Sequence, residues 1–563
     1  MARTYDEIQA ELIAPGGAFE VVEEEIRGRR MPIYKNRKGS LRELLADSAG
    51  HGEAEYIVLG ERRISYAEHA AMVASTAAAL RDRYGVGRGD RVAILAENHP
   101  EWLITFWAAV SLGAVVAALN GWWTTDEIDY ALGLVEPKVL VGDAKRLERA
   151  AGVGTDIPRV EIEGDFASLL AHAPGAALPD VEIDEDDPAL ILFTSGTTGR
   201  PKGAVQSHRG LLGFINASFL HGLTRMMLTA EAGEDGQGDD LPPAPPTCSL
   251  ITAPLFHMSG LHAGALMMLA IGAKTVWRLG RFEPEDVLRI IEKERVTSWA
   301  GLGAMAPRVL SHPNIDRYDL SSLRNLGSGG APTSPELQER MREVAPNGAN
   351  AIGLGYGSSE TCTVVAMISG ADLLEHPRSV GRVQPCHEVE IRGDDGKAVQ
   401  DGEQGEIFVR SPFNMLEYWR NPEATAETIS GDGWLATGDV GYFVESRLFI
   451  NARARDLILR GAENVYPVEI EQRLEAHPEV HEAAAVGVEH AELGQEVKAF
   501  IVLAAGSTVD TDELAEWCGQ TLARFKVPTL WETRDEPLPR NAAGKILKNV
   551  LTGEAENRFV AEE

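Results

Sequence analysis

Short apolar runs ending in glycine or aspartate follow segments of helical texture again and again, and this alternation constrains the fold more than any other feature of the chain. AALRDRYGVGRGDRVAILAEN reads as a helix, a glycine turn and a strand, and the pattern recurs at KVLVGD (Lys138 to Asp143), ALILFTSG (Ala189 to Gly196) and AKTVWRL (Ala273 to Leu279). Strands that follow helices in this way lie in largely parallel sheets, so the expected class is α/β. From about Val389 short strands separated by Asp/Gly turns take over (EVEIRGDDGKAV, GEIFVRS, GYFVESRLFI), which predicts antiparallel sheet or a small β-barrel-like subdomain. A mixed α+β region follows Arg455. With 563 residues, two or more domains are expected.

From Trp102 to Thr125 no residue is charged, a length that could span a bilayer. Gly113, Asn120 and Gly121 interrupt it and no basic residues flank it closely, so the reading is a buried helix (about Glu101 to Leu112) and a buried strand (Ala114 to Leu119). Glu231 to Pro246, acidic and rich in Gly and Pro, reads as a surface loop. The 85 acidic residues against 53 Lys plus Arg give a net charge of −32, which excludes a general nucleic-acid binder. Four scattered cysteines (Cys248, Cys362, Cys386, Cys518) indicate neither a disulfide framework nor a zinc site, and a reducing cytoplasm is the expected home. The acidic N-terminus does not read as a secretion signal.

The segment richest in chemistry is TSGTTGRPKG, Thr194 to Gly203, directly after the apolar run ALILF. Its glycines let backbone N–H groups turn toward an anion, Thr194, Ser195 and Thr197 add hydroxyl donors, and Arg200 and Lys202 add positive charge. It reads as a phosphate loop. No Lys-Ser/Thr pair stands at the Walker A spacing, which disfavours a P-loop NTPase.

This segment resembles the phosphate loop of the adenylate-forming superfamily, which includes the AMP-forming acyl-CoA synthetases. The resemblance extends in chain order through PLFH (Pro254 to His257), SGGAP (Ser328 to Pro332), YGSSE (Tyr356 to Glu360), TGD (Thr437 to Asp439), RARDLILRGAENVYPVEIE (Arg453 to Glu471) and PRNAAGKILK (Pro539 to Lys548). It implies a large domain over residues 1–454, with parallel and mixed sheets flanked by helices, and a small mobile α+β domain over 455–563. ATP would be held by Thr194, Ser195, Gly196, Thr197, Thr198, Gly199 and Lys202 at the phosphates. Gly330, Ala331 and Pro332 would approach the base, Tyr356 would offer it a flat face, and Gly357, Ser358 and Ser359 would complete the turn. Asp439 would accept from the ribose hydroxyls and Arg453 would touch the nucleotide, although Ala452 replaces the glycine common before it. Glu360 supplies a hard oxygen for Mg²⁺. Thr194, His257 and Glu360 are implied at the reacting centre together with Lys545, whose ammonium would offset the repulsion between a substrate carboxylate and the α-phosphate. No general base is required, because the carboxylate is already ionised at pH 7. Arg455 falls at the hinge position, where Asp or Lys is usual, and Gly461, Ala462, Glu463 and Asn464 would line the channel for the coenzyme A thiol.

The implied reaction joins an apolar carboxylic acid, fatty or aryl, to AMP and then to coenzyme A. PLFHMSGLHAGALMMLA holds no carboxylate to pair an amino acid's ammonium, and Gly357 stands where acetate-type enzymes place a Trp, which predicts a deeper pocket. Leu261 replaces the gating Trp of some long-chain enzymes. Two alternatives are a ligase that loads a carrier protein and a nucleotide-binding paralogue without catalysis. No nucleic acid or membrane span is expected as a partner, and a homodimer is compatible. Two basic segments, Thr194 to Arg209 and Arg524 to Lys548, each carry a net +3 and are the expected places for the nucleotides.

Overall fold

The computed structural model describes residues 3–194, 200–232, 246–302, 305–329, 333–347, 352–453, 456–460, 463–490, 493–504, 506–541 and 544–555. The α/β expectation holds. One sheet of six strands runs in the order Lys202–Ser207, Pro188–Thr194, Val115–Ala118, Arg91–Leu95, Val139–Gly142, Arg159–Glu161. Its strands are parallel except for the first, which returns antiparallel to Pro188–Thr194. The alternating runs therefore became neighbouring strands, because each apolar run is buried on both faces once helices cover the sheet.

A second sheet holds the parallel strands Asn325–Gly329, Ser298–Leu302, Cys248–Ile251, Lys274–Trp277 and Glu55–Leu59, and Gly353–Tyr356 continues it. The strands after Val389 do not close into a barrel. Glu388–Arg392, Gly405–Arg410, Leu435–Val444 and Arg447–Arg453 pair antiparallel in sequence and join the same sheet through Ser379–Val383 and Ala366–Ser369, as one open path of strands among the described residues. Turn chemistry specified the hairpins correctly, but closure depends on where the last strand finds a partner, which turns do not encode.

The charge-free stretch is core. Pro100–Ser111 is a helix buried along its whole length, started by Pro100 at its first turn, and Val115–Ala118 is the following strand. Trp102, Phe106 and Trp107 are fully buried in a cluster that also takes Ile94 and Val116 from the first sheet and Ile57 and Trp277 from the second. Removing each such aromatic from water is worth roughly 2–3 kcal/mol, so this helix ties the sheets together. Among the described residues no helix is long and apolar enough to cross a membrane.

The region after residue 456 forms its own sheet. Val480–His490 and Gly494–Leu503 make a long hairpin, Leu530–Arg534 lies parallel to the second of these, and Ile458–Arg460 and Glu463–Val465 extend the edge. Pro467–Glu475 and Thr511–Gly519 cover one face through Ile470, Leu474, Leu514 and Cys518. All four cysteines are buried free thiols. Most of the acidic insert, residues 233–245, lies outside the described residues.

Candidate active site

A cleft of about 2430 Å³ gathers residues from both sheets and from the C-terminal sheet's helical face. Thr194 ends its strand on the cleft wall and Lys202, which opens the next strand, is paired with it in register. The Lys202 ammonium stands 5.2 Å from the centre of the Tyr418 ring, a cation–π contact. Ser195 to Gly199, Gly330 to Pro332, Arg455, Gly461 and Ala462 lie outside the described residues. Arg453, Glu463 and Asn464 are described only in their backbone: Arg453 pairs with Asp439, Glu463 with Arg460, and Asn464 with Leu459.

Tyr356 and Asp439, separated by 83 positions in the chain, meet directly. The Tyr356 hydroxyl donates to Asp439 Oδ2 at 2.9 Å, and the Asp439 N–H donates to Thr437 Oγ1 at 3.1 Å. The group expected beneath the base thus orients the carboxylate expected at the ribose. Tyr356→Phe keeps the flat face and removes that restraint. The KM for ATP is expected to rise about tenfold, equivalent to roughly 1.4 kcal/mol, with the KM for the acid unchanged; steady-state kinetics with each substrate varied in turn checks it.

The turn after Tyr356 is tightly constrained. Ser358 Oγ accepts from the Thr361 N–H at 3.2 Å, the Ser358 N–H donates to Thr361 Oγ1 at 2.8 Å, and the Glu360 carbonyl accepts from the Met415 N–H at 2.8 Å. A Cβ on Gly357 would overlap the Thr363 carbonyl oxygen and stand 3.1 Å from its carbon. The glycine is therefore demanded by backbone approach, independent of any pocket depth. Gly357→Ala is expected to destabilise the protein by about 1–3 kcal/mol and to lower kcat/KM for ATP, read from urea midpoints and initial rates.

Glu360 Oε1 accepts from the Tyr418 hydroxyl at 2.9 Å. Burial and the adjacent Glu360 push the Tyr418 phenol up, so it remains a donor. One carboxylate facing the cleft suits Mg²⁺, which is commonly bound through one or two carboxylates plus substrate phosphates. Asp372, Glu375 and His376 also cluster elsewhere, but Asp372 is held by Arg382 and by Arg447 at 2.9 Å, an ion-pair network that serves the fold.

Lys545 lines the same cleft from the C-terminal region. It is presented by a tight hairpin: Arg540 and Ile546 bridge, the Lys545 N–H donates to Asn541 Oδ1 at 2.9 Å, and Gly544 takes φ +77°. The two basic segments do not survive as basic surfaces. Arg209 is paired with Glu185 and Asp186, Lys526 with Glu469, Arg540 with Glu482 and Lys548 with Glu471. Arg200, Lys202 and Lys545 also line the cleft.

His257 lines the cleft beside Phe256, with ring centres 4.9 Å apart, and its Nε2 is buried without a hydrogen-bond partner among the described residues. Burial lowers its pKa to about 4, so it is neutral at physiological pH. Phe256 in turn meets Trp122 edge-on at 4.9 Å. Trp122 and Trp123 enter the sequence reading only as part of the charge-free stretch; both line the cleft, and the paired Trp at the end of that stretch was the available signal. Met267 and Met268 also line it while packing on the core, whereas Leu261 is fully buried.

Residues 45–419 match the family model described as AMP-binding enzyme, and residues 469–545 that described as AMP-binding enzyme C-terminal domain. The chain is 35% identical over 513 residues to a feruloyl-CoA synthase of Amycolatopsis sp., covering 89% of this chain and 95% of that one. It is 31% identical over 516 residues to a long-chain-fatty-acid--CoA ligase of Bacillus subtilis, covering 84% and 88%. The solved structure of ATP-bound MatB from Rhodopseudomonas palustris superposes with a TM-score of 0.78 at 30% identity, covering 91% of this chain and 98% of that one.

Proposed function

This chain belongs to the AMP-binding enzymes, within the adenylate-forming superfamily, and from that premise we propose that it activates an apolar carboxylic acid with ATP and passes the acyl group to coenzyme A. It is an acid–thiol ligase of the AMP-forming kind. The observation that carries the reading is the convergence of Tyr356, Asp439, Glu360, Lys202 and Lys545 on one cleft, with the 2.9 Å Tyr356–Asp439 contact at its nucleotide end.

In the first half-reaction a carboxylate oxygen bonds to the α-phosphorus of ATP and the bond to the β-phosphate oxygen breaks, releasing pyrophosphate. Lys545 offsets the repulsion between the two anions and stabilises the charge that grows on the phosphoryl oxygens. Lys202, with the hydroxyl of Thr194, holds the departing phosphates. Glu360, with the ATP phosphates, would hold magnesium, which when bound would supply neutralisation of the triphosphate charge. In the second half-reaction the thiolate of coenzyme A attacks the acyl carbonyl and AMP leaves. The C-terminal domain, from residue 455, turns about Arg455 between the two and withdraws Lys545.

The wall from His257 to Ile271 carries no acid, and with Trp122 and Phe214 it favours an apolar or aromatic tail. The relatives named for ferulate and for long-chain fatty acids bracket that class. Neutral His257 beside the tail contributes packing and, through its bare nitrogen, at most one hydrogen bond. Mass spectrometry of products from a panel of aryl, short-chain and long-chain acids with ATP, Mg²⁺ and coenzyme A tests the proposal. Acyl-CoA and AMP are expected from at least one apolar acid; turnover confined to amino acids, or acyl-adenylate that passes only to a carrier protein, would overturn it.

A further inference from the structure

The strand that follows the phosphate loop, Lys202–Ser207, turns alternate side chains to one face. Lys202, Ala204 and Gln206 share that face, and all three meet the neighbourhood of the Tyr356–Glu360 turn. Lys202 lies over Tyr418, the donor to Glu360. Ala204 packs with Cys362 and Tyr418. Gln206, fully buried, donates from Nε2 to the Ser359 carbonyl oxygen at 2.7 Å.

Behind Gln206 stands His262, on the π-helical turn Ser259–Leu266 whose Ser259, Ala263 and Gly264 line the cleft. His262 is also fully buried, its ring edge-on to Phe214 at 5.7 Å, and its Nε2 lies 2.9 Å from Gln206 Oε1. The chemistry of the chain of contacts sets its direction. A carbonyl oxygen only accepts, so the amide nitrogen of Gln206 faces Ser359 and its oxygen faces His262. The oxygen also only accepts, so His262 carries its proton on Nε2 and donates it. Its Nδ1 is buried with no hydrogen-bond partner among the described residues. Burial alone keeps the ring neutral, with a pKa lowered to about 3. A buried acceptor left bare in order to supply one donor is costly, and it is tolerated here at a contact that leads straight to the residue before Glu360.

We propose that Gln206 and His262 are positioning residues for this enzyme: His262 locks the Gln206 amide, which holds the Ser359 carbonyl and thereby sets the Glu360 carboxylate for magnesium-bound ATP. The inference rests on the reading of Glu360 given above. Neither residue touches substrate. Their effect is confined to the metal-holding turn, while the base and ribose contacts at Tyr356 and Asp439 stand apart from the relay.

Equilibrium binding by titration calorimetry separates this role from simple packing. His262→Phe preserves the ring and its contact with Phe214 but cannot donate. Its dissociation constant for MgATP is expected to rise about tenfold, while that for ATP in excess EDTA moves less than twofold. His262→Gln, which retains a donor, is expected to recover MgATP binding to within about threefold of wild type. Gln206→Met, similar in length and unable to hold Ser359, is expected to show the same split and serves if His262→Phe does not fold. Combining His262→Phe with Gln206→Met should weaken MgATP no further than Gln206→Met alone. MgATP binding unchanged in both single variants, or equal losses with and without the metal, would overturn the inference. Failure of the underlying reading would look different, since wild-type protein would then bind MgATP no more tightly than metal-free ATP.

Discussion

Lys545→Ala is expected to lower the rate of acyl-adenylate formation by at least 10²- to 10³-fold, the range seen when one preorganised donor to developing charge is removed. The same variant should convert a supplied acyl-adenylate and coenzyme A to thioester at a rate within about tenfold of wild type. The physical reason is that Lys545 acts on charge that exists only while the α-phosphorus carries both the entering carboxylate and the leaving pyrophosphate. In thioester formation the leaving group is AMP and no second phosphate is present. Because the Lys545 hairpin is built from backbone contacts with Asn541 and from Gly544, truncating the side chain leaves the loop in place. Separate assays of pyrophosphate release and of thioester formation decide the matter, and equal loss of both would remove Lys545 from the role given to it.

Acidification to pH 5.5 is expected to cost most of the folding stability. His69, His208, His221, His262 and His387 are buried, and burial lowers their pKa values to about 3 or about 4. In the unfolded chain each binds a proton near pH 6.5, whereas in the folded state each refuses it until far lower pH. Unfolded protein therefore binds more protons between about pH 6.5 and 4, and stability falls as pH falls through that window. At pH 5.5 each such histidine withholds about 1.4 kcal/mol relative to pH 7.5, or roughly 7 kcal/mol for the group. That is comparable with the whole stability of a typical domain. Carboxylates contribute little so far above their own pKa values, except Glu475, whose pKa burial raises to about 8 and which therefore offsets part of this loss. Urea midpoints at pH 7.5, 6.5 and 5.5 should drop steeply; a midpoint unchanged over that range would mean that these rings gain protons without unfolding.

Much of the architecture was legible because it depends on local pattern. Runs such as ALILF and KVLVGD became Pro188–Thr194 and Val139–Gly142, and the charge-free stretch became a wholly buried helix and its strand. The barrel was misjudged, since hairpins at 388–410 and 435–453 fit a closed or an open sheet equally well until their outer partners are known. Thr194, Glu360 and Lys545, each singled out by a short motif, line one cleft although they are far apart in the chain. Gln206 and Tyr418 carry no local signature, since each meets its partner in a distant segment, whereas Trp122 had one in the adjacent Trp123.

The charge shows the division most clearly. From the sequence alone, a net charge of −32 argues against a general nucleic-acid binder, and the glycines, hydroxyls, Arg200 and Lys202 grouped at Thr194–Gly203 are expected to serve a phosphate. The sequence also determined the expected reaction, because the groups that ATP requires are named by type and order along the chain. Tertiary structure decided which of those charges face the cleft. Arg209, Lys526, Arg540 and Lys548 are each met by an acid in another segment, so two stretches of equal local charge differ in what they can offer a ligand. Coulomb attraction acts through space over a few ångströms, and only folding sets which opposite charges come that close.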